Sequence, residues 1–181
     1  MSRHLSARTL ATATALAALA AFGAPDRAVA QVDTIVITEH ASKATKMEQQ
    51  AEALRSHPRR WYEAARLYVR AAGLRGGSDP RATKDLQQAA HLYFALNELD
   101  SASTAMRRAG DAAMARGDVV LAADAYLNAA WVAGRDGDAP AMHDFLDRAR
   151  ALASSPLLTS DQRRSILERA GYPANVAVRT P

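Results

Sequence analysis

Ala44-Thr45-Lys46-Met47-Glu48-Gln49-Gln50-Ala51-Glu52-Ala53-Leu54 returns 38 positions later as Ala82-Thr83-Lys84-Asp85-Leu86-Gln87-Gln88-Ala89-Ala90-His91-Leu92, identical at seven places. The same offset carries Ala64, Tyr68 and Ala71 onto Ala102, Met106 and Ala109, so the repeating unit is two segments long. Alanine matches come cheaply in a chain this rich in Ala. The shared Thr, Lys, two Gln and Leu do not. Self-similarity at a period of about 20 to 50 residues marks stacked supersecondary units that cover one another's apolar faces.

Outward from this pair, the helical pattern runs from Ser42 to Gly171, punctuated by turn signals near His57-Pro58, Gly73 to Pro80, Asn97 to Asp100, Gly117, Gly134 to Asp138 and Ser154 to Pro156. Seven helices are predicted, over about 42–56, 59–74, 80–96, 100–116, 118–134, 139–153 and 160–170. Ser78 or Asp79 before Pro80, Asp138 before Ala139-Pro140, and Thr159 with Gln162 supply N-terminal caps. Gly171 and Pro173 are a stop signal, leaving residues 173–181 as a flexible tail.

In the second helix, Ala64, Tyr68 and Ala71 place a small residue, an aromatic and another small residue at spacing four then three. Ala102, Met106 and Ala109 keep the pattern, as do Ala141 and Phe145, and Ala90 and Tyr93 fit the preceding helix type. This resembles the tetratricopeptide repeat over about residues 42–153, with a spacing of 38 to 39 in place of the family's 34. The resemblance implies an all-α, tetratricopeptide-like α-solenoid of about three helix pairs plus a C-terminal capping helix. Leu86, Ala89, Ala90, Tyr93 and Asn97 fall on one side of the third helix, while the first helix carries Glu48, Ala51, Glu52 and Arg55 there. That charged set reads as the polar cap of a terminal unit, and Ile166 with Ala170 as the apolar side of the closing helix.

The resemblance also implies a groove lined by the first helix of each pair, holding a protein or peptide partner. Lys84, Gln87, His91 and Phe94 form a stripe away from the core side of the third helix; Lys46 and Gln49 match it in the first unit, and Tyr126 in the third. Lys and Gln beside an aromatic suit an extended or carboxylate-bearing peptide. The arginines at 55, 59, 60, 66, 70 and 75 read as a solvated outer face, and Trp61 and Trp131 as core anchors.

The first thirty residues combine basic Arg3 and Arg8, an Ala/Leu-rich run, and Ala28-Val29-Ala30. That is the pattern of a secretory signal peptide cleaved before Gln31, and it predicts an exported, periplasmic or secreted protein with no membrane span after maturation. Without cysteine there is no disulfide. Removing three Arg and one Asp with residues 1–30 lowers the formal charge from +4 to +2, too near neutral to suggest a nucleic-acid partner.

Asp33-Thr34-Ile35-Val36-Ile37-Thr38 is the one strand-like run, β-branched at five of six positions. Residues 31–41 read as an extended lead. The run resembles the TonB box, the segment by which TonB-dependent outer-membrane transporters pair as an added strand with their energy-coupling protein, although the plug and barrel of that family have no counterpart. Its implication is a second reading, docking to an envelope complex by strand addition. Neither a nucleophile elbow, a cysteine nucleophile nor a phosphate loop is present, and His143 with Asp147 lacks a third metal ligand. A non-enzymatic adaptor or scaffold with no cofactor and no metal is therefore expected, and a hydrolase or metal enzyme ranks third.

Overall fold

The computed structural model describes the backbone from Pro25 to Val176 and side chains over residues 36–171. Among the described residues seven α-helices follow in order: α1 Pro25–Arg55, α2 Trp61–Arg75, α3 Pro80–Ala95, α4 Leu99–Ala115, α5 Val119–Asp136, α6 Ala139–Leu152 and α7 Ser160–Val176, with a 3-10 turn at Pro58–Arg60. The described residues contain no strand, and no helix among them is long and apolar enough to cross a membrane. Two compact units divide at residue 40; the helical pack from Ala41 onward is the one considered below.

Within it, the helices from α2 to α6 pack chiefly on their sequence neighbours, α2 on α3, α3 on α4, α4 on α5 and α5 on α6, while α7 packs on α5 and α6. The turns explain why. Asn97, Gly117 and Gly137 stand twenty residues apart, each with positive φ (61°, 75° and 81°). At each, the next residue's N–H bonds back to a carbonyl in the helix's last turn: Glu98 to Tyr93 at 2.9 Å, Asp118 to Ala113 at 3.0 Å, Asp138 to Ala133 at 3.0 Å. This C-terminal motif needs a residue that tolerates the left-handed region, which Gly does freely and Asn at small cost. Asp118 and Asp138 then cap the following helices by accepting from Leu121 N–H (3.1 Å) and Ala141 N–H (3.0 Å). One helix thus ends and the next begins within two or three residues, which forces neighbours together. Asp79 before Pro80 accepts from Arg81 N–H at 2.9 Å, and Thr159 and Gln162 bond reciprocally as a capping box.

Alanine makes the core. Ala64, Ala65, Ala89, Ala90, Ala129 and Ala130 are buried at the crossings, with Tyr68, Tyr93, Met106, Tyr126, Phe145 and Leu146 filling the space between helices. Ile166 and Ala170 of α7 are buried, as its expected apolar side requires. One crossing is set by a glycine: a Cβ on Gly110 of α4 would lie 2.7 Å from the Tyr126 ring of α5.

Two expectations are corrected. Asp33–Thr38 lies inside α1 and is helical, so residues 31–41 are not an extended lead in the described structure. The β-branched penalty is only a few tenths of a kcal/mol per residue relative to good helix formers, and a helix already nucleated downstream extends residue by residue without a second nucleation cost. The same helix contains the expected cleavage point after Ala30; residues 1–24 lie outside the described structure, as do 177–181. The stop at Gly171-Pro173 is overrun, since α7 continues to Val176. Near that point the carbonyl of Ala170 accepts from the Arg150 guanidinium at 2.9 Å.

Gly110→Ala tests the crossing. Helix propensity alone favours Ala by about 1 kcal/mol, but overpacking against a buried ring costs about 1–3 kcal/mol, so the substitution should destabilise. In a Tyr126→Leu background the ring is gone and the sign should reverse. Urea unfolding midpoints of the four proteins measure this; equal effects of Gly110→Ala in both backgrounds would contradict the close approach.

Candidate functional face

α3 and α5 share a solvent face. On α5 the exposed or half-exposed positions Asp124, Asn128, Trp131 and Arg135 recur at helical spacing, and on α3 Lys84, Gln87, His91 and Phe94 do the same. The two stripes meet where Phe94 and Trp131 contact, ring centroids 5.2 Å apart with planes tilted by 39°. Arg135 lies over both, its guanidinium carbon 5.5 Å from the Phe94 centroid and 5.3 Å from that of Trp131. Arginine stacks well on aromatic faces because its planar cation is weakly hydrated. No acidic partner holds Arg135 among the described residues, so its donors face solvent. Trp131 is 48% exposed and is therefore not the core anchor expected from sequence. Hydropathy could not have shown this, because an indole at a helical position reads alike inward or outward; the i, i+4, i+7, i+11 spacing from Asp124 was the available signal.

Of the residues expected to line a groove, Lys46, Gln49, Lys84 and His91 are exposed, and Gln87 and Phe94 are half-buried. Lys84 of α3 contributes a small electrostatic pull on Glu52 of α1. On α7, Arg169 pairs with Asp124 of α5. Tyr126 does not belong to this face. It is only 5% exposed, packed on Gly110, and its hydroxyl donates to Asp111 at 2.7 Å. Burial, with Asp111 second, pushes the phenol up to about 12. One residue along, α5 points its side chains into the α4 contact, which is why Tyr126 serves packing while Asn128 and Trp131 meet solvent.

Of the charged set on α1, Glu52 and Arg55 are exposed, while Glu48 is drawn in toward Arg75 of α2. Glu52 accepts from the Tyr68 hydroxyl at 2.5 Å, and this bond, followed by that from Arg55, lowers its carboxyl below the ordinary range. Trp61 Nε1 donates to the Arg55 carbonyl at 2.8 Å and closes the α1–α2 turn. The largest departure from the sequence reading is Arg75, taken there as solvated. Its side chain is fully buried, bonded to Glu48 of α1 and Asp85 of α3 with Asp79 3.7 Å from Nε. Three carboxylates surround one guanidinium, and Asp85 is the one carried deepest, its side chain 1% exposed. Burial raises its pKa to about 6, against the pull of Arg75 and with help from Glu48. A buried pair of this kind fixes which helices meet more than it adds stability.

A shallow depression of about 300 Å³ on the other side is lined by Ala72, Gly73, Gly76, Leu86, Arg108 and Asp111. His143 and Asp147 are exposed, and Asp147 is engaged by Arg150 at 2.9 Å. No family model, curated protein or solved structure matches the chain.

The Asp85 titration has a definite sign. The folded protein keeps this proton up to about pH 6, whereas an unfolded Asp loses it near ~3.9. Between those values the native state binds more protons, so the Asp85 contribution is fully present below about pH 4 and drains away as pH rises to 6. Relative to Asp85→Asn, the wild type should lose stability on the order of 1 kcal/mol per pH unit across that window. Denaturant unfolding at several pH values checks it, and a pH-independent difference would contradict the buried-carboxyl account.

Proposed function

We propose that this chain is an exported, tetratricopeptide-like helical adaptor that binds a protein or peptide partner on the face shared by α1, α3 and α5. The observation that carries this reading is the Phe94–Trp131–Arg135 cluster, an apolar and cationic surface left uncovered beside the α3 stripe of Lys84, Gln87 and His91, with Lys46 and Gln49 exposed on α1. Exposed aromatic and arginine side chains together are the chemistry of interface anchors. Neighbour-on-neighbour packing and evenly spaced turns support the solenoid reading, and the Ala/Leu-rich start with Ala28-Val29-Ala30 supports export. The shifted groups Asp85, Tyr68 and Tyr126 tie helices together, which favours a binding role over catalysis.

Quantitative capture of envelope proteins by the purified chain, compared with a Lys84→Ala/Gln87→Ala/His91→Ala triple variant and a Thr104→Ala control on α4, tests the face. Retention should fall at least tenfold for the triple variant and be unchanged for the control. Equal retention by all three would remove the α1/α3/α5 face from recognition.

A further inference from the structure

Resting on that reading, the geometry points to a partner of definite chemistry: an internal segment of extended chain in which an apolar side chain is flanked by Asp or Glu. The apolar side chain would lie against Trp131 and Phe94, and the neighbouring carboxylate would take the free donors of Arg135.

Arg107, Arg148, Arg150 and Arg169 are engaged by Asp111, Asp144, Asp147 and Asp124, whereas, among the described residues, Arg116 bonds only to Thr83 and the Ala112 carbonyl; what sets Arg135 apart is that it lies against two aromatic rings without an acid. The guanidinium lies within cation–π reach of both rings, and no acid takes its N–H donors among the described residues, so they are available to a carboxylate. Trp131 supplies apolar area beside that fork, and His91, one turn from Phe94, adds a polar edge. Gln87 and Lys84 continue the exposed face along α3 and Asn128 along α5, which gives a segment passing the cluster further polar side chains to lie against. Aromatic and arginine surfaces also stack nucleic-acid bases, but a chain with nearly balanced charge lacks the cationic density that backbone phosphates require.

An array of synthetic peptides, each with one Leu, Phe, Trp or Met flanked by acidic, amide or basic residues and carrying an amidated or a free C-terminus, is titrated against the purified protein, with a single-stranded oligonucleotide as a further probe. Acid-flanked, amidated peptides should bind roughly tenfold or more tightly than their amide-flanked counterparts. Arg135→Gln should abolish that difference while leaving residual affinity, and Trp131→Ala should weaken both sets. Charge-blind binding unaffected by Arg135→Gln, binding that requires a free C-terminus, or an oligonucleotide that outcompetes every peptide would each overturn the inference. Charge-blind binding still lost in the α3 triple variant would overturn it while leaving the adaptor reading in place. No binding anywhere in the array by the folded protein would overturn the inference, with the capture experiment deciding the adaptor reading separately.

Discussion

Alanine at the helix crossings is the constraint on which the rest depends. Each buried methyl contributes only about 0.8 kcal/mol, but Ala gives up no side-chain entropy on ordering and lets two backbones approach closely. A core built this way must be long and repetitive, because no single position contributes much. Gly110 is the extreme case, where even a methyl is excluded and the Tyr126 ring lies against the bare helix backbone. Close approach also narrows tolerance: packing at this separation is sensitive to a change of one carbon atom. The few large residues, Tyr68, Tyr93, Tyr126 and Phe145, fill the space between helices, and two of the tyrosines carry their hydroxyls out to acids on a neighbouring helix.

Apolar patterning of this kind is degenerate, since one alanine stripe fits another in many registers. The polar bonds between helices remove that degeneracy. Arg75 reaches both Glu48 and Asp85, so α1, α2 and α3 fit together in one arrangement only, and a register slip would strand a buried charge at a cost of about 3–5 kcal/mol. Tyr68 with Glu52 and Arg169 with Asp124 do the same at other contacts with far less burial.

The helices were legible because their ends are written in Pro, Gly, Asn and Asp, and because alanine spacing distinguishes buried sides from wet ones. Six of the seven predicted starts fall close to the observed ones. What failed were places where one residue type suits two environments. Arg75 looks like any surface arginine in sequence, since burial is decided by carboxylates at positions 48, 79 and 85 that meet only after folding. Glu48 read as solvated for the same reason. Tyr126 and Trp131 exchanged roles, because an error of two residues along a helix turns a side chain by more than half a revolution. Asp33–Thr38 was judged on β-propensity, a weak prior that a neighbouring helix overrides.

The functional account reduces to one surface: α3 and α5 present a ring-stacked arginine and a half-exposed tryptophan beside amide and basic side chains, while α4 presents an ordinary polar face. Site-specific photo-cross-linking separates the two most directly. A photoreactive side chain at Asn128 on α5, exposed beside Trp131, is compared with one at Thr104 on α4, also exposed. Cross-links to a partner from position 128 and none from 104 are the predicted result, and cross-links formed only from 104 would contradict the account.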